Sequence, residues 1–160
     1  AKLKAFKLKE DIRIYADTNQ QNELLRIQAR SVIDFGATYD IIDSAQDLKL
    51  GALRRKGLKS ILRDSWLILD VNDEEIGTLT ESGSGGLALL RRLGGFGTLI
   101  MPQTFSVDVN GQQVASFRQR RNPFISKLDL DFSMDSQQLL DRRMGIAAAI
   151  LIGAIEGRQN

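Results

Sequence analysis

Residues 144–155 read MGIAAAILIGAI, twelve consecutive residues without a charged side chain. A helix that is apolar on every side has to be buried. A membrane span needs about 20 apolar residues, whereas a run of roughly 10–14 is typical of a core helix. We therefore predict that this segment is a buried helix and that the rest of the chain surrounds it.

The predicted helix covers about 136–157. Asp135 can cap its first turn, with Gln138 three residues later as in a capping box, and Gly157 stands where a C-terminal cap is expected. Glycine inside a helix costs up to about 1 kcal/mol relative to alanine. Gly145 and Gly153 therefore predict close packing, because they make the helix thin where it approaches its surroundings.

The composition predicts one globular domain over residues 1–160, because 42% hydrophobic residues can form a core at this length. The chain has no Cys and no His, which excludes disulfides, Cys-ligated zinc, a Cys nucleophile and a Ser–His dyad. We expect no catalytic site, metal or cofactor. The opening residues AKLKAFKLKED do not form a secretory signal. The expected location is cytoplasmic, with or without peripheral membrane association.

Four segments share a hairpin pattern, in which an apolar strand ends in Asp, a polar stretch follows and apolar residues return. The four aspartates are Asp17, Asp43, Asp70 and Asp108. Such an Asp is typical of a turn, where its carboxylate accepts backbone N–H bonds. A repeated cation site is the alternative, although no copy has the spacing of a known calcium loop. Regularly spaced short strands with turn signals favour an all-β barrel or sandwich.

Residues 81–97, ESGSGGLALLRRLGGFG, interrupt the hairpin pattern. We predict that they form a crossover between two similar halves, about 1–80 and about 98–134. The alternative is a mobile membrane-contact loop, whose contacting residues would be Leu89, Leu90, Arg91 and Arg92. A phosphate loop is excluded, because no Lys-Ser or Lys-Thr pair follows the glycines at the required spacing.

The hairpins around Asp70 and Asp108, followed by LDRRMGIAAAILIGAIEGRQ, resemble the LURP-one-related and phospholipid-scramblase-like proteins of the tubby C-terminal-like superfamily. The resemblance covers essentially the whole chain and implies a mainly β (α+β) fold. It implies a closed antiparallel barrel of about twelve strands around the C-terminal helix. Tubby-type members bind phosphoinositide headgroups through basic residues. Scramblase-type members carry lipidated cysteines, which this chain lacks.

Basic residues cluster after the second and the fourth hairpin, at the same place in the repeat. The candidate ligands of an anionic headgroup are Arg54, Arg55, Lys56, Lys59, Arg118, Arg120, Arg121 and Lys127. Arginine binds phosphate through charge-assisted and often bidentate hydrogen bonds. The alternative is that these residues are ordinary solvated surface charge.

The sequence thus predicts a non-catalytic domain that binds an anionic phospholipid, a phosphoinositide headgroup or a membrane surface. A protein–protein adaptor is the alternative, and a hydrolase using Asp129 and Asp131, which share a strand face, is a third reading. Sequence-specific binding of nucleic acid is not expected, because the chain shows no exposed aromatic platforms for stacking bases.

Overall fold

The computed structural model describes residues 11–30, 37–56, 65–82, 104–120 and 127–156. These residues form one antiparallel sheet of nine strands in chain order, followed by one helix. The strands are β1 (Asp11–Tyr15), β2 (Glu23–Ala29), β3 (Thr38–Asp43), β4 (Leu48–Arg55), β5 (Ser65–Leu69), β6 (Glu75–Ser82), β7 (Thr104–Val109), β8 (Gln112–Arg120) and β9 (Lys127–Asp131), and the helix is α1 (Arg142–Glu156).

The predicted closed barrel of about twelve strands is wrong. In the described residues the sheet is open, with β1 and β9 as its two edges and no pairing between them. The sheet nevertheless curls, because α1 contacts β2 and β4 as well as β8 and β9. Burial of the helix does not require closure. Ile146 is 38% exposed and Ile150 is half-buried, so the helix keeps one side that the sheet does not cover.

The strands are staggered along the sheet. Paired residues define lines that cross the sheet at right angles to the strands. The line that starts at Thr38, the first residue of β3, reaches Asp108, the last residue but one of β7. A crosswise line therefore begins at one end of β3 and arrives near the opposite end of β7. Such a stagger accompanies strand tilt in a curled sheet. It brings the last residues of one strand beside the turn of a later hairpin.

The core lies between the inner face of the sheet and α1. Residues 147–149 and 151–152 of the helix are buried, which confirms the prediction that this segment is a core helix. The helix also packs as closely as its glycines predict. A Cβ at Gly145 would lie 2.7 Å from Cζ of Phe132, and one at Gly51 would lie 2.8 Å from Cε of Met144.

The helix begins at Arg142, six residues later than predicted. Asp141 is its N-cap, because its carboxylate accepts the N–H of Arg143 at 2.9 Å and its carbonyl accepts the N–H of Gly145. Asp135 instead closes a separate turn, where it accepts the N–H groups of Leu139 and Leu140. The capping-box prediction at Asp135 is therefore wrong. The carboxylate of Asp135 does accept backbone N–H groups, but it stabilises a turn that precedes the helix.

Residues 81 and 82, predicted as the start of the glycine-rich crossover, belong to β6. The remainder of that predicted segment, residues 83–97, lies outside the described residues. Strands β1 to β6 precede it and strands β7 to β9 follow it.

Candidate anion-binding site

The basic residues at the end of β4 point to both faces of the sheet. Leu53 is buried in the core, and successive strand side chains alternate in direction. Arg54 therefore faces outward, where its Nε donates to Oγ1 of Thr38 at 3.2 Å. Arg55 lies on the inner side, with its guanidinium 6.0 Å from the ring centre of Trp66. The structure thus separates two neighbouring arginines that the sequence grouped together.

Lys56 follows β4 directly and is exposed, while its backbone N–H donates to the carbonyl of Ser65 at 3.0 Å. This bond continues the β4–β5 ladder by one residue and fixes the backbone from which the lysine projects. Lys56 forms no ion pair with any residue that the structure describes. Its charge is therefore open to solvent.

The second basic group lies at the end of β8 and the start of β9. Arg118 and Lys127 are both exposed and face outward, since Phe117 beside Arg118 is buried. The backbone of Arg120 pairs with Lys127, and Arg118 pairs with Asp129 in the register. Within the described part of the chain, Arg118 and Lys127 take part in no ion pair.

The two basic groups lie at the same end of the strands. In a sheet whose consecutive strands are antiparallel, β4 and β8 run in the same direction and β9 starts where β8 ends. We call the end that holds Arg54, Lys56, Arg118 and Lys127 the cationic end. The groups are four strands apart, and the stagger places Arg54 level with Gln113, five residues before Arg118 on β8. The other candidates lie outside the described residues; they are Lys59, Leu89, Leu90, Arg91, Arg92 and Arg121.

The opposite end of the strands, which we call the turn end, carries most of the carboxylates. Asp17, Asp43 and Asp70 each accept two backbone N–H groups of the turn that follows, which confirms the turn interpretation of these three residues. Asp108 differs, because it lies within β7. The turn after it is formed by Asn110 and Gly111 with φ values of 52° and 78°, as in a tight hairpin.

Hydrogen bonds also lower the pKa of carboxylates at the turn end. Backbone N–H groups of Gln21 and Asn22 lower the pKa of Asp17. The backbone N–H of Ser133 lowers that of Asp131, and the side chain of Arg143 lowers that of Asp141. A general acid needs the opposite shift. These groups therefore stay ionised at neutral pH.

An ion-pair network on the outer face links β2, β3 and β4 to the β5–β6 turn. Arg30 donates to both Asp40 and Asp73, at 2.8 Å in each case, and Lys49 donates to Asp73 at 2.7 Å. The two cations hold the pKa of Asp73 well below its usual range. The sequence analysis missed this network, because Arg30 and Asp73 are 43 residues apart and meet only through the stagger of the strands.

A second long-range ion pair joins the helix to the sheet. The guanidinium of Arg143 contacts the buried carboxylate of Asp43 as well as Asp141, its neighbour in the cap. Beside it, the guanidinium of Arg142 lies 4.9 Å from the ring centre of Phe132. The segment Asp141-Arg142-Arg143, which carried part of the family resemblance, therefore docks the start of the helix.

In the described residues, no group of three or more acidic side chains is placed to hold a metal ion. Among the same residues, no helix is both long enough and apolar enough to cross a membrane.

Comparison with known proteins gives one match. No curated protein and no solved structure matches the chain. The family model described as LURP-one-related matches residues 1–153, which is nearly the whole chain. This agrees with one part of the resemblance, whereas the wider tubby-like and scramblase-like relationship stays a prediction. The chain belongs to the LURP-one-related family.

Proposed function

We propose that this domain binds an anionic ligand, a phospholipid or phosphoinositide headgroup or the surface of an anionic membrane, through its cationic end. One observation carries the proposal. Lys56, Arg118 and Lys127 are exposed and form no ion pair with the described residues, whereas the carboxylates lie mainly at the turn end. The proposed association is peripheral and includes no catalytic step, metal or cofactor.

The energetics of such binding follow from the position of the charges. A basic residue near an anionic membrane contributes about 1 kcal/mol. Three or four cations at one end of the strands would therefore give measurable binding at low salt, and screening would weaken it as the ionic strength rises. The Nε of Arg54 donates to Thr38, which leaves the terminal nitrogens of its guanidinium for a phosphate.

Co-sedimentation with vesicles tests the proposal. We expect the protein to pellet with vesicles that contain phosphatidylserine and to stay in solution with phosphatidylcholine alone. The double variant Arg118→Gln/Lys127→Gln should pellet less. Its matched control is Gln112→Glu/Gln113→Glu, which changes the net charge by the same amount on exposed residues of the turn end. The proposal fails if the wild type does not pellet at low salt, or if both variants bind equally.

A protein–protein adaptor is a second candidate, and exposed apolar side chains at the turn end favour it. Leu48 and Val71 are 57% and 53% exposed, and they lie on neighbouring hairpins, where Nζ of Lys49 donates to the carbonyl of Val71 at 3.1 Å. Partner capture by the immobilised wild type and by the immobilised variant Leu48→Ser/Val71→Ser would distinguish a protein–protein adaptor from a membrane-binding domain. An adaptor that uses this surface loses its partner in the variant, while vesicle binding stays unchanged.

A further inference from the structure

We infer that the tips of the β3–β4 and β5–β6 hairpins form a docking surface for another polypeptide, and that the docked segment carries both apolar and basic side chains. We call Asp47, Leu48, Val71, Glu74 and Glu75 the tip surface. This inference rests on the second candidate function, the adaptor, and names the chemistry of its partner. It does not depend on vesicle binding by the cationic end.

The centre of the tip surface is apolar. Leu48 and Val71 are 57% and 53% exposed, more than any other large hydrophobic side chain in the described part of the chain. Single exposed apolar residues are common on protein surfaces, whereas neighbouring ones mark interaction sites. The connections at the turn end all belong to the described residues; they are residues 16–22, 44–47, 70–74, 110–111 and 132–141.

Hydrogen bonds hold both hairpin tips in place. Asp43 accepts two backbone N–H groups of the β3–β4 turn, and Asp70 accepts two of the β5–β6 turn. Nζ of Lys49 joins the tips, because it donates to the carbonyl of Val71 at 3.1 Å and to Asp73 at 2.7 Å. A surface that is ordered in advance loses little conformational freedom when a partner binds.

Carboxylates without a counter-charge surround the apolar centre. Glu74 and Glu75 are exposed, and neither forms an ion pair with a residue that the structure describes. Asp47 has a side chain that is 81% exposed, and its carboxylate contacts Arg26 at 3.6 Å. These acidic groups are therefore available at the rim of the surface.

The cations nearest to the tip surface are already paired. Lys49 contacts Asp73, and the guanidinium of Arg143 contacts both Asp43 and Asp141. The tip surface thus keeps an excess of negative charge, although the whole chain has a net charge of +2. Complementary charge favours a basic partner and disfavours an anionic membrane.

The two kinds of side chain have different roles in such an interface. Apolar side chains of the partner would cover Leu48 and Val71 and supply most of the binding free energy. Its lysines or arginines would lie at the rim, beside Asp47, Glu74 and Glu75, where charge increases the association rate and excludes acidic competitors. A segment with only one of the two properties should bind poorly.

Titration with short peptides tests this chemistry. The probe is a peptide of alternating leucine and lysine, and its controls are a leucine–glutamate and a serine–lysine peptide of equal length. We expect the wild type to bind the probe, more weakly as the salt concentration rises, and to bind neither control. Isothermal titration calorimetry measures the affinities. The inference is wrong if the wild type does not bind the probe, or if a control peptide binds as tightly.

Two variants locate the binding surface. Leu48→Ser/Val71→Ser should weaken binding of the probe by about tenfold or more. Ile146→Ser, which changes an exposed apolar residue of α1, is its control and should bind as the wild type does.

Glu74→Gln/Glu75→Gln should weaken binding of the probe about threefold. Thr18→Lys/Asn19→Lys changes the net charge by the same amount on exposed residues of the β1–β2 turn, and it should have a smaller effect. Equal effects of a variant and its control would overturn the assignment of the surface.

The outcomes separate this inference from the functions proposed above. If immobilised wild type captures a partner through Leu48 and Val71 but does not bind the probe, the adaptor function stands and the inferred chemistry is wrong. If Leu48→Ser/Val71→Ser loses binding to phosphatidylserine vesicles, the tips contact a membrane and the inference fails. If the wild type is a dimer that this variant dissociates, a second copy occupies the surface and the inference also fails.

Discussion

The two ends of the strands use charge in opposite ways. At the turn end, backbone N–H groups and arginines hold the carboxylates in place, as Asp43 shows with two backbone donors and the guanidinium of Arg143. At the cationic end, Lys56, Arg118 and Lys127 have no such partners among the described residues. Paired charges at the turn end therefore support the fold, whereas these three exposed cations are open to solvent. Arg30, which follows β2 at the cationic end, is paired with Asp40 and Asp73 and also supports the fold. Substitutions at the two ends should separate stability from binding.

The largest loss of stability is expected from a substitution in α1, the element on which both ends of the strands depend. Ala148→Asp places an unpaired carboxylate at a buried position, and we expect a loss of about 3–5 kcal/mol, enough to abolish folding. Ile146→Asp, on the partly exposed side of the helix, is the control and should remain folded. Circular dichroism and soluble yield measure the difference. A soluble, folded Ala148→Asp protein would contradict the core position of α1.

The next largest loss of stability is expected in the turn between β3 and β4, where a buried and an exposed carboxylate can be compared. Asp43→Asn removes the charge that binds Arg143 and weakens the backbone hydrogen bonds, and we expect the free energy of unfolding to fall by about 1–3 kcal/mol. Asp47→Asn, in the same turn, changes a carboxylate whose side chain is 81% exposed, so a shift of less than about 0.5 kcal/mol is expected. Urea denaturation measures both variants. Equal losses would show that the buried carboxylate has no special role.

The third expected effect is on the stability of the fold at acid pH. Because Arg30 and Lys49 depress the pKa of Asp73 in the folded state, this group stabilises the fold above its unfolded pKa of about 4. That stability is lost as the pH falls from about 4 towards the folded pKa. Asp73→Asn, which also tolerates the positive φ at this position, should therefore be less stable at neutral pH and less sensitive to acid.

Urea denaturation between neutral pH and pH of about 2 measures the effect at Asp73. Glu74→Gln, one residue later and exposed, is the control and should follow the wild-type profile. The network would have no role in acid stability if the profile of Asp73→Asn were parallel to that of the wild type across the acid range.

The smallest effect on stability is expected at the cationic end. Arg118→Gln/Lys127→Gln removes two exposed cations that no described carboxylate pairs with, so the free energy of unfolding should change by less than about 1 kcal/mol. The same variant should pellet less than the wild type with vesicles that contain phosphatidylserine. A large loss of stability would show that these cations support the fold, and the contrast between the two ends would then disappear.

Local chemistry explains which features the sequence predicted. The apolar run 144–155 predicted a buried helix without reference to any other segment, and each turn aspartate acts within five residues of its own position. The repeat of hairpins also placed the two basic groups at the same position after their hairpins, but it did not predict that they share an end. These features depend on periodicity or on short-range hydrogen bonds, which a single sequence displays directly.

Features that depend on register and curvature could not be predicted in this way. Closure of the sheet was inferred from the family resemblance, and the strands at its edges, β1 and β9, do not pair. The contact between Arg30 and Asp73 depends on the stagger between strands. The hydrophobic pattern shows which face of a strand is buried, and it does not show how far one strand is shifted along its neighbour.

The position of α1 after all nine strands has a consequence for biosynthesis. The inner face of the sheet lacks its main cover until residues 144–152 have left the ribosome, and the pair between Arg143 and Asp43 closes a loop of 100 residues. Contacts between distant parts of a chain slow folding, and unpacked strands aggregate readily. The nascent chain should therefore depend on chaperones until the helix emerges and packs against the inner face of the sheet.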